Sequence, residues 1–250
     1  MTEQPEQQAP APFQPVDEDW QTALVVVAHP DDMEYGGAAA VARWTAQGKK
    51  VVYVMVTSGE AGIDGMAPEQ CGPLREAEQI DSAAVVGVDT VEFLGHPDGV
   101  VEYGLPLRRD IARAVRRHRP DIVVTSNFRD TWGGVFLNQA DHIAVGRATL
   151  DAVRDAGNRW VFRELVDEGH EPWNGVRQIW AASSPESAHA VDTTDTFDRG
   201  VASLEAHKAY LAGLGGAMAD ARGFLEGAGR SAGTRLGTRF AVAFEVFPLS

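Results

Sequence analysis

Two periodicities alternate along the first 155 or so residues of the chain. Short β-branched apolar runs fall at Leu24–Ala28, Val51–Thr57, Val91–Leu94 and Ile122–Ser126. Runs of this kind mark strands covered on both faces. Between them, Gly37–Gln47, Leu74–Val86, Leu105–Arg119 and Asp141–Ala156 carry apolar residues at helical spacing. In the third of these, Leu107, Ile111 and Val115 share one face, and Pro120 stops the helix. Strands alternating with helices predict an α/β fold, Rossmann-like, with a mostly parallel sheet and helices on both faces. After Gly157 the rhythm loosens into a smaller C-terminal α/β portion. There a strand is expected at Gln178–Ala182, a helix at Thr196–Leu214 and a last strand at Arg239–Phe247, with a helical middle inside Gly215–Gly237. The glycines at 213, 215 and 216 interrupt a helix without forming a linker, so residues 20–250 read as a single domain.

Composition narrows the class. At 250 residues and 44% hydrophobic content the chain can build one sizeable core. A net charge of −14 repels phosphate backbones and anionic lipid, which argues against nucleic acid and membrane partners. Met1–Pro15 is rich in Gln, Pro and Ala and lacks an apolar signal core, so residues 1–19 read as a disordered tail. No run approaches the roughly 18 apolar residues of a membrane span. The one cysteine, Cys71, excludes an internal disulfide and suits a reducing, cytoplasmic setting. Oligomeric state stays open, with room for a homo-oligomer.

The chemistry gathers where the first strand stops. Val27-Ala28 runs into His29-Pro30-Asp31-Asp32, an imidazole and two carboxylates at a strand end. Carboxyl ends of strands are where ligands bind in open α/β sheets. Clustered charge there needs a partner, because burying it alone is costly. His plus Asp suits Zn²⁺, and a catalytic zinc takes three protein ligands and keeps one open position. His29 and Asp32 supply two from one turn. Of the remaining histidines, His142 leads, since Gln139-Ala140-Asp141-His142 opens a helix after the strand Ile122–Ser126. His96-Pro97-Asp98 is a rival source, although its Asp98-Gly99 pair is also a good turn former. Asp31, next to a ligand but outside the set, is placed to act as a base. Asp141 suits either a helix cap or a carboxylate that orients a ligating His. Trp132, in the loop before the distal motif, can stack on a sugar face. The cluster Arg113, Arg116, Arg117, His118, Arg119 reads as a solvated helix end complementing the dipole.

Ala28-His29-Pro30-Asp31-Asp32 together with the distal Asp141-His142 resembles the zinc-dependent N-deacetylases of the PIG-L/LmbE family. The likeness runs from about residue 22 to 156 and takes in Arg75-Glu76, Glu78 and Asp98, with weaker echoes at Asp192 and His207-Lys208. It implies zinc held by His29, Asp32 and His142, with Fe²⁺ or Co²⁺ as substitutes by ligand type. It implies Asp31 as general base, and Arg75 and Asp98 as contacts to sugar or polyol hydroxyls. Two positions depart from the family pattern. Gln139 stands where the family has the first His of its distal motif, so it can donate a hydrogen bond but cannot pass on a proton. Met33 separates Glu34 from the Asp pair, and no role is assigned to Glu34.

The reading that follows is a metal-dependent hydrolase that removes an acyl group, acetyl first, from an N-acylated amino sugar or sugar conjugate. Two others stand beside it. One is an amidase acting on a thiol–sugar conjugate. The other is a catalytically impaired α/β binding module, which Gln139 favours and the intact His29, Asp31, Asp32 and His142 oppose.

Overall fold

A computed structural model describes residues 11–249. Ten strands and nine α-helices follow in chain order: β1 (Gln14–Pro15), β2 (Thr22–Val27), α1 (Asp32–Gly36), α2 (Ala38–Ala46), β3 (Lys50–Met55), α3 (Pro68–Val85) and β4 (Val91–Phe93). Then come α4 (Leu105–His118), β5 (Ile122–Ser126), a hairpin of β6 (Thr131–Trp132) and β7 (Phe136–Leu137), α5 (Ala140–Ala156) and α6 (Arg163–Asp167). The chain ends with β8 (Gln178–Ala182), β9 (His189–Asp192), α7 (Phe197–Glu205), α8 (Lys208–Gly213), α9 (Ala221–Leu236) and β10 (Ala241–Pro248). Eight strands form one sheet in the order β1-β9-β10-β8-β5-β2-β3-β4. It is parallel from β8 to β4, while β10 runs antiparallel to both of its neighbours. The expected α/β architecture is therefore present.

Alternation along the central strands explains the two helical layers. Val25 and Val27 point to one face, with Tyr53, Met55 and Trp44. Leu24 and Val26 point to the other, against Leu107, Ile111 and Val115 of α4 and Val145 and Ala148 of α5. Trp20 meets Trp44 and Trp180 edge-on, Trp44 and Trp180 are tilted, all with ring centroids 5.2–6.1 Å apart, and Phe244 closes the group. Strands β2, β3 and β4 step outward on one side of β2, whereas β5 and β8 step outward on the other. The carboxyl ends of β2 and β5 thus flank a topological switch point, the crevice where such folds bind ligands.

Several expectations need correction. The tail does not extend to residue 19: β1 pairs in parallel with β9, and Phe13 and Val16 are buried. Two residues of strand are too short to read from periodicity. The rest of the expected tail, residues 1–10, lies outside the described residues. Helix α3 begins at Pro68, not Leu74, because Pro suits the first turn of a helix where no backbone N–H is needed. Cys71 is buried on it. The predicted 37–47 helix is α2, and a short helix not expected from the sequence, α1, precedes it, the two meeting at Gly37, where a Cβ would lie 2.1 Å from the Met33 side chain. The predicted 196–214 helix breaks between α7 and α8, with the His207 ring buried at the joint. Among the arginines expected in solvent, Arg116 is buried. Its guanidinium donates to the carbonyls of Ala156, Asn158 and Val161 at 2.8–3.1 Å, fastening α4 to the turn after α5.

Helix α7 crosses α2 at Gly200, where a Cβ would stand 2.7 Å from Ala39 Cβ and 2.9 Å from its backbone nitrogen. Backbone cannot yield as a flexible side chain can. Gly200→Ala is expected to destabilise the fold by about 1–3 kcal/mol, read as a lower urea midpoint.

Candidate metal centre

β2 ends at Val27, and the chain then turns through His29-Pro30-Asp31 into α1. Asp32 shapes that turn: its Oδ2 accepts the N–H groups of Ala28 and His29 at 3.0 and 2.9 Å. Asp31 sits in the left-handed region at φ 82°, which Asp tolerates better than most residues. Gln79 of α3 secures this conformation, since its Oε1 accepts the Asp31 N–H at 2.9 Å.

The His142 ring arrives from the first turn of α5. Asn138 sets its tautomer. Asn138 Nδ2 donates to the carbonyls of Asn127 and Arg129, both at 2.9 Å, so Oδ1 is the acceptor facing His142 Nδ1 at 2.9 Å. His142 Nδ1 therefore carries the hydrogen, and Nε2 turns a lone pair toward β2. His29 is held in the same way from the other side. Its Nε2 faces two acceptor-only groups, Asp98 Oδ1 at 3.0 Å and Asp141 Oδ2 at 3.2 Å. His29 Nδ1 and His142 Nε2 then face each other at 3.2 Å, with Asp32 Oδ1 2.9 Å from the latter. Ligand atoms of His29, Asp32 and His142 lie within 4.8 Å of one another. Two lone pairs and a carboxylate converging on one point, with their outer hydrogens committed elsewhere, suit a divalent cation.

Burial alone would raise the Asp32 carboxyl, but His142 and His29 hold it well below the ordinary range. Burial works against protonation of His29, and Asp141, Asp32 and Asp98 outweigh it and raise the imidazole well above its usual value. Burial pushes the Asp31 carboxyl up to about 7, against the pull of the Arg75 guanidinium.

The remaining sequence candidates take distinct places. Arg75 is only 1% exposed: Nη2 donates to Asp31 Oδ2 at 2.7 Å and to the Pro30 carbonyl, and Tyr210 of α8 stacks on the guanidinium at 3.7 Å. Asp98 bridges two elements, with Oδ1 on His29 and Oδ2 accepting the Ala61 N–H at 2.8 Å. Both side chains are nearly covered, and Arg75 Nε and Nη1 are left without a hydrogen-bond partner. His96 pairs with Asp110 at 3.2 Å, away from the cluster. Asp141 is an orienting carboxylate, fixed by the N–H groups of Gly99 and Val101, and does not cap α5. Gln139 occupies the position before α5 with its side chain exposed.

Sequence reasoning missed Asn138, Gln79 and Glu34. The only linear trace of Asn138 is its spacing of four from His142, one helical turn. Gln79 stands one turn after Arg75, so α3 presents both to the Asp31 turn. Glu34 lies buried beneath, accepting from Gln79 and Ser82 at 2.9 Å, and burial pushes its carboxyl up to about 7. His207 is 3.8 Å from it, and burial pushes that imidazole down to about 3. A neutral ring at this distance does not make an ion pair. A separate cavity of about 470 Å³ lies between Tyr35–Ala39, the 183–187 turn and α9, and no residue of the His/Asp cluster lines it.

Comparison with known proteins finds similarity to deacetylases. The profile of the PIG-L family, described as GlcNAc-PI de-N-acetylase, matches residues 24–153. Diacetylchitobiose deacetylase of Thermococcus kodakarensis is 25% identical over 195 residues, 77% of this chain and 71% of that protein. The 1D-myo-inositol 2-acetamido-2-deoxy-alpha-D-glucopyranoside deacetylase 2 of Saccharopolyspora erythraea is 30% identical across 63% of this chain, which spans 64% of the relative's length. Among solved structures, N,N'-diacetylchitobiose deacetylase from Pyrococcus horikoshii shares the fold, with a TM-score of 0.83 at 21% identity over 92% of this chain and 85% of that one.

Proposed function

The chain belongs to the PIG-L family, and from that premise we propose that it is a metal-dependent N-deacetylase acting on an N-acetylated amino sugar or sugar conjugate. One observation carries the reading: two imidazole lone pairs and the Asp32 carboxylate converge beside a buried carboxylate, Asp31, that is not one of the converging donors. His29, Asp32 and His142 hold the ion, zinc by donor type. When bound, it supplies Lewis acidity toward an amide carbonyl and lowers the pKa of water to about 7.

This chain's own residues do the rest. Asp31 is the base that takes the proton of the attacking water. Arg75 occupies its Oδ2, which leaves Oδ1 for that proton and fixes the direction of the carboxyl group. Asp31 then gives the proton to the departing amine, so one group serves as base and acid. Gln139, exposed at the position before α5, is assigned the hydrogen bond to the carbonyl oxygen as charge builds there. Asp98 and Asp141 keep the hydrogen of His29 on Nε2, and Asn138 keeps that of His142 on Nδ1.

The test is metal content measured together with amine release from a panel of N-acetylglucosamine derivatives. About one zinc per chain, with amine release lost to a chelator and restored by zinc, is expected. A chain that binds no zinc on addition and releases no amine would overturn the reading. A smaller effect checks the orienting network: Asn138→Ala is expected to weaken zinc binding by about 10–100-fold, read by competition with a chelating dye.

A further inference from the structure

The hairpin β6–β7 carries the densest exposed apolar stretch near the site: Val135, Phe136 and Leu137 are 75%, 73% and 83% exposed. Such side chains in water next to a polar cluster call for an occupant. The hairpin is held firmly at its base. Asn127 Nδ2 donates to the Thr131 carbonyl at 3.0 Å, the Asn138 N–H bonds the Asp130 carbonyl at 2.9 Å, and Asn138 also grips Asn127 and Arg129. The same Asn138 orients His142, so the hairpin and the ligand share one anchor.

Register decides which residues face the site. Trp132 pairs with Phe136, and Thr131 with Leu137. Cross-strand partners project from the same face of a ribbon. The Trp132 ring meets the His142 ring edge-on at 5.9 Å. Phe136 therefore extends, on the same face, an aromatic surface that begins against a proposed metal ligand. Leu137 belongs to the opposite face. The turn between the strands, Gly133-Gly134-Val135, has no polar side chain, and its Val135 N–H is spent on the Trp132 carbonyl at 3.1 Å. A subsite for a second sugar ring would set hydrogen-bonding side chains beside the aromatic face. This one presents carbon.

We propose that Trp132 and Phe136 form a platform for an apolar, aryl or alkyl aglycone, so that the preferred substrate is an N-acetylated amino sugar joined to such a group. This rests on the deacetylase reading and names the substrate class for the same site. Continuity of the platform with the His142 ring favours the substrate's own aglycone over a second copy of the chain as occupant.

The experiment compares p-nitrophenyl N-acetyl-β-glucosaminide with free N-acetylglucosamine on the zinc-loaded chain. Calorimetric binding of p-nitrophenyl β-glucoside, which has no amide to cleave, runs in parallel. A preference of about tenfold for the aryl glycoside in kcat/KM is expected, most of it in KM. Phe136→Ser should reduce that ratio to about two and weaken glucoside binding several-fold, whereas Leu137→Ser should leave both unchanged. Equal use of the two substrates by wild type, or equal effects of the two variants, would overturn the platform. Smaller particles by light scattering in both variants, with the substrate ratio intact, would also overturn it and make the hairpin a self-association surface. Failure of the deacetylase reading looks different: neither sugar is cleaved, while glucoside binding still reports on Phe136.

Discussion

Asp31→Asn is expected to lower amide hydrolysis by about 10²–10⁴-fold while zinc content stays at the wild-type level. The change is close to isosteric, and the local structure can keep its shape. Asn tolerates the left-handed conformation as Asp does. Gln79 still accepts the backbone N–H of residue 31, and Arg75 Nη2 still finds an amide oxygen where it had Oδ2. His29, Asp32 and His142 are untouched. What disappears is an oxygen able to take a proton from water and return one to an amine. The measurement is kcat on an accepted N-acetyl amino sugar beside metal analysis of the same preparation. A wild-type rate in this variant would remove Asp31 from the reaction. Loss of zinc would instead show that residue 31 helps to hold the ion. The unfolding midpoint should be followed as well, because the variant leaves the buried Arg75 cation without its counter-charge.

His142→Ala is the second large effect. It deletes one of three converging donors, and the methyl group left behind offers no lone pair. Zinc affinity should fall by more than the roughly 10–100-fold expected when only an orienting neighbour such as Asn138 is lost. Amine release should vanish at zinc concentrations that saturate wild type. The fold should persist, since the central strands and the aliphatic contacts of α5 do not involve the imidazole. Retention of one tightly held zinc with full activity would mean that the third donor comes from elsewhere. Asp98 and Asp141, both against His29 Nε2, would then be next to test.

Much of this site is legible before any coordinates, because its core is contiguous. His29, Asp31 and Asp32 stand within four residues at the end of an unmistakable strand, and the strand–helix rhythm puts that end at a ligand-binding edge. His142 is recognisable from the helix start it occupies. Roles decided by burial are another matter. Arg75 looks like any arginine on a helix until the Asp31 turn is folded against α3, where it is the counter-charge of a buried carboxylate. Asn138 does its work through two carbonyls, of Asn127 and Arg129, whose convergence depends on the hairpin between them. Strand β1 escapes because two residues show no period, and its pairing with β9 depends on a strand some 175 positions away. The early start of α3 escapes because Pro68, Gly72 and Pro73 read as loop, yet Pro68 fits the first helical turn and Pro73 is carried inside the helix.

Asp98 joins two parts of the molecule that a list of ligands would keep apart. One of its oxygens steadies the outer nitrogen of His29, and the other accepts the Ala61 N–H in the stretch between β3 and α3. The two oxygens of so small a carboxylate move as one rigid group, so holding one in place also holds the other. Thermodynamic reciprocity then ties the posture of that stretch to how tightly the ion is retained: whatever presses Ala61 home strengthens the imidazole's grip, and a well-held ion steadies Ala61 in return by the same free energy. A molecule that settles against this stretch would bind more tightly to the ion-loaded chain without touching the ion, and the ion would leave more slowly while that molecule stays.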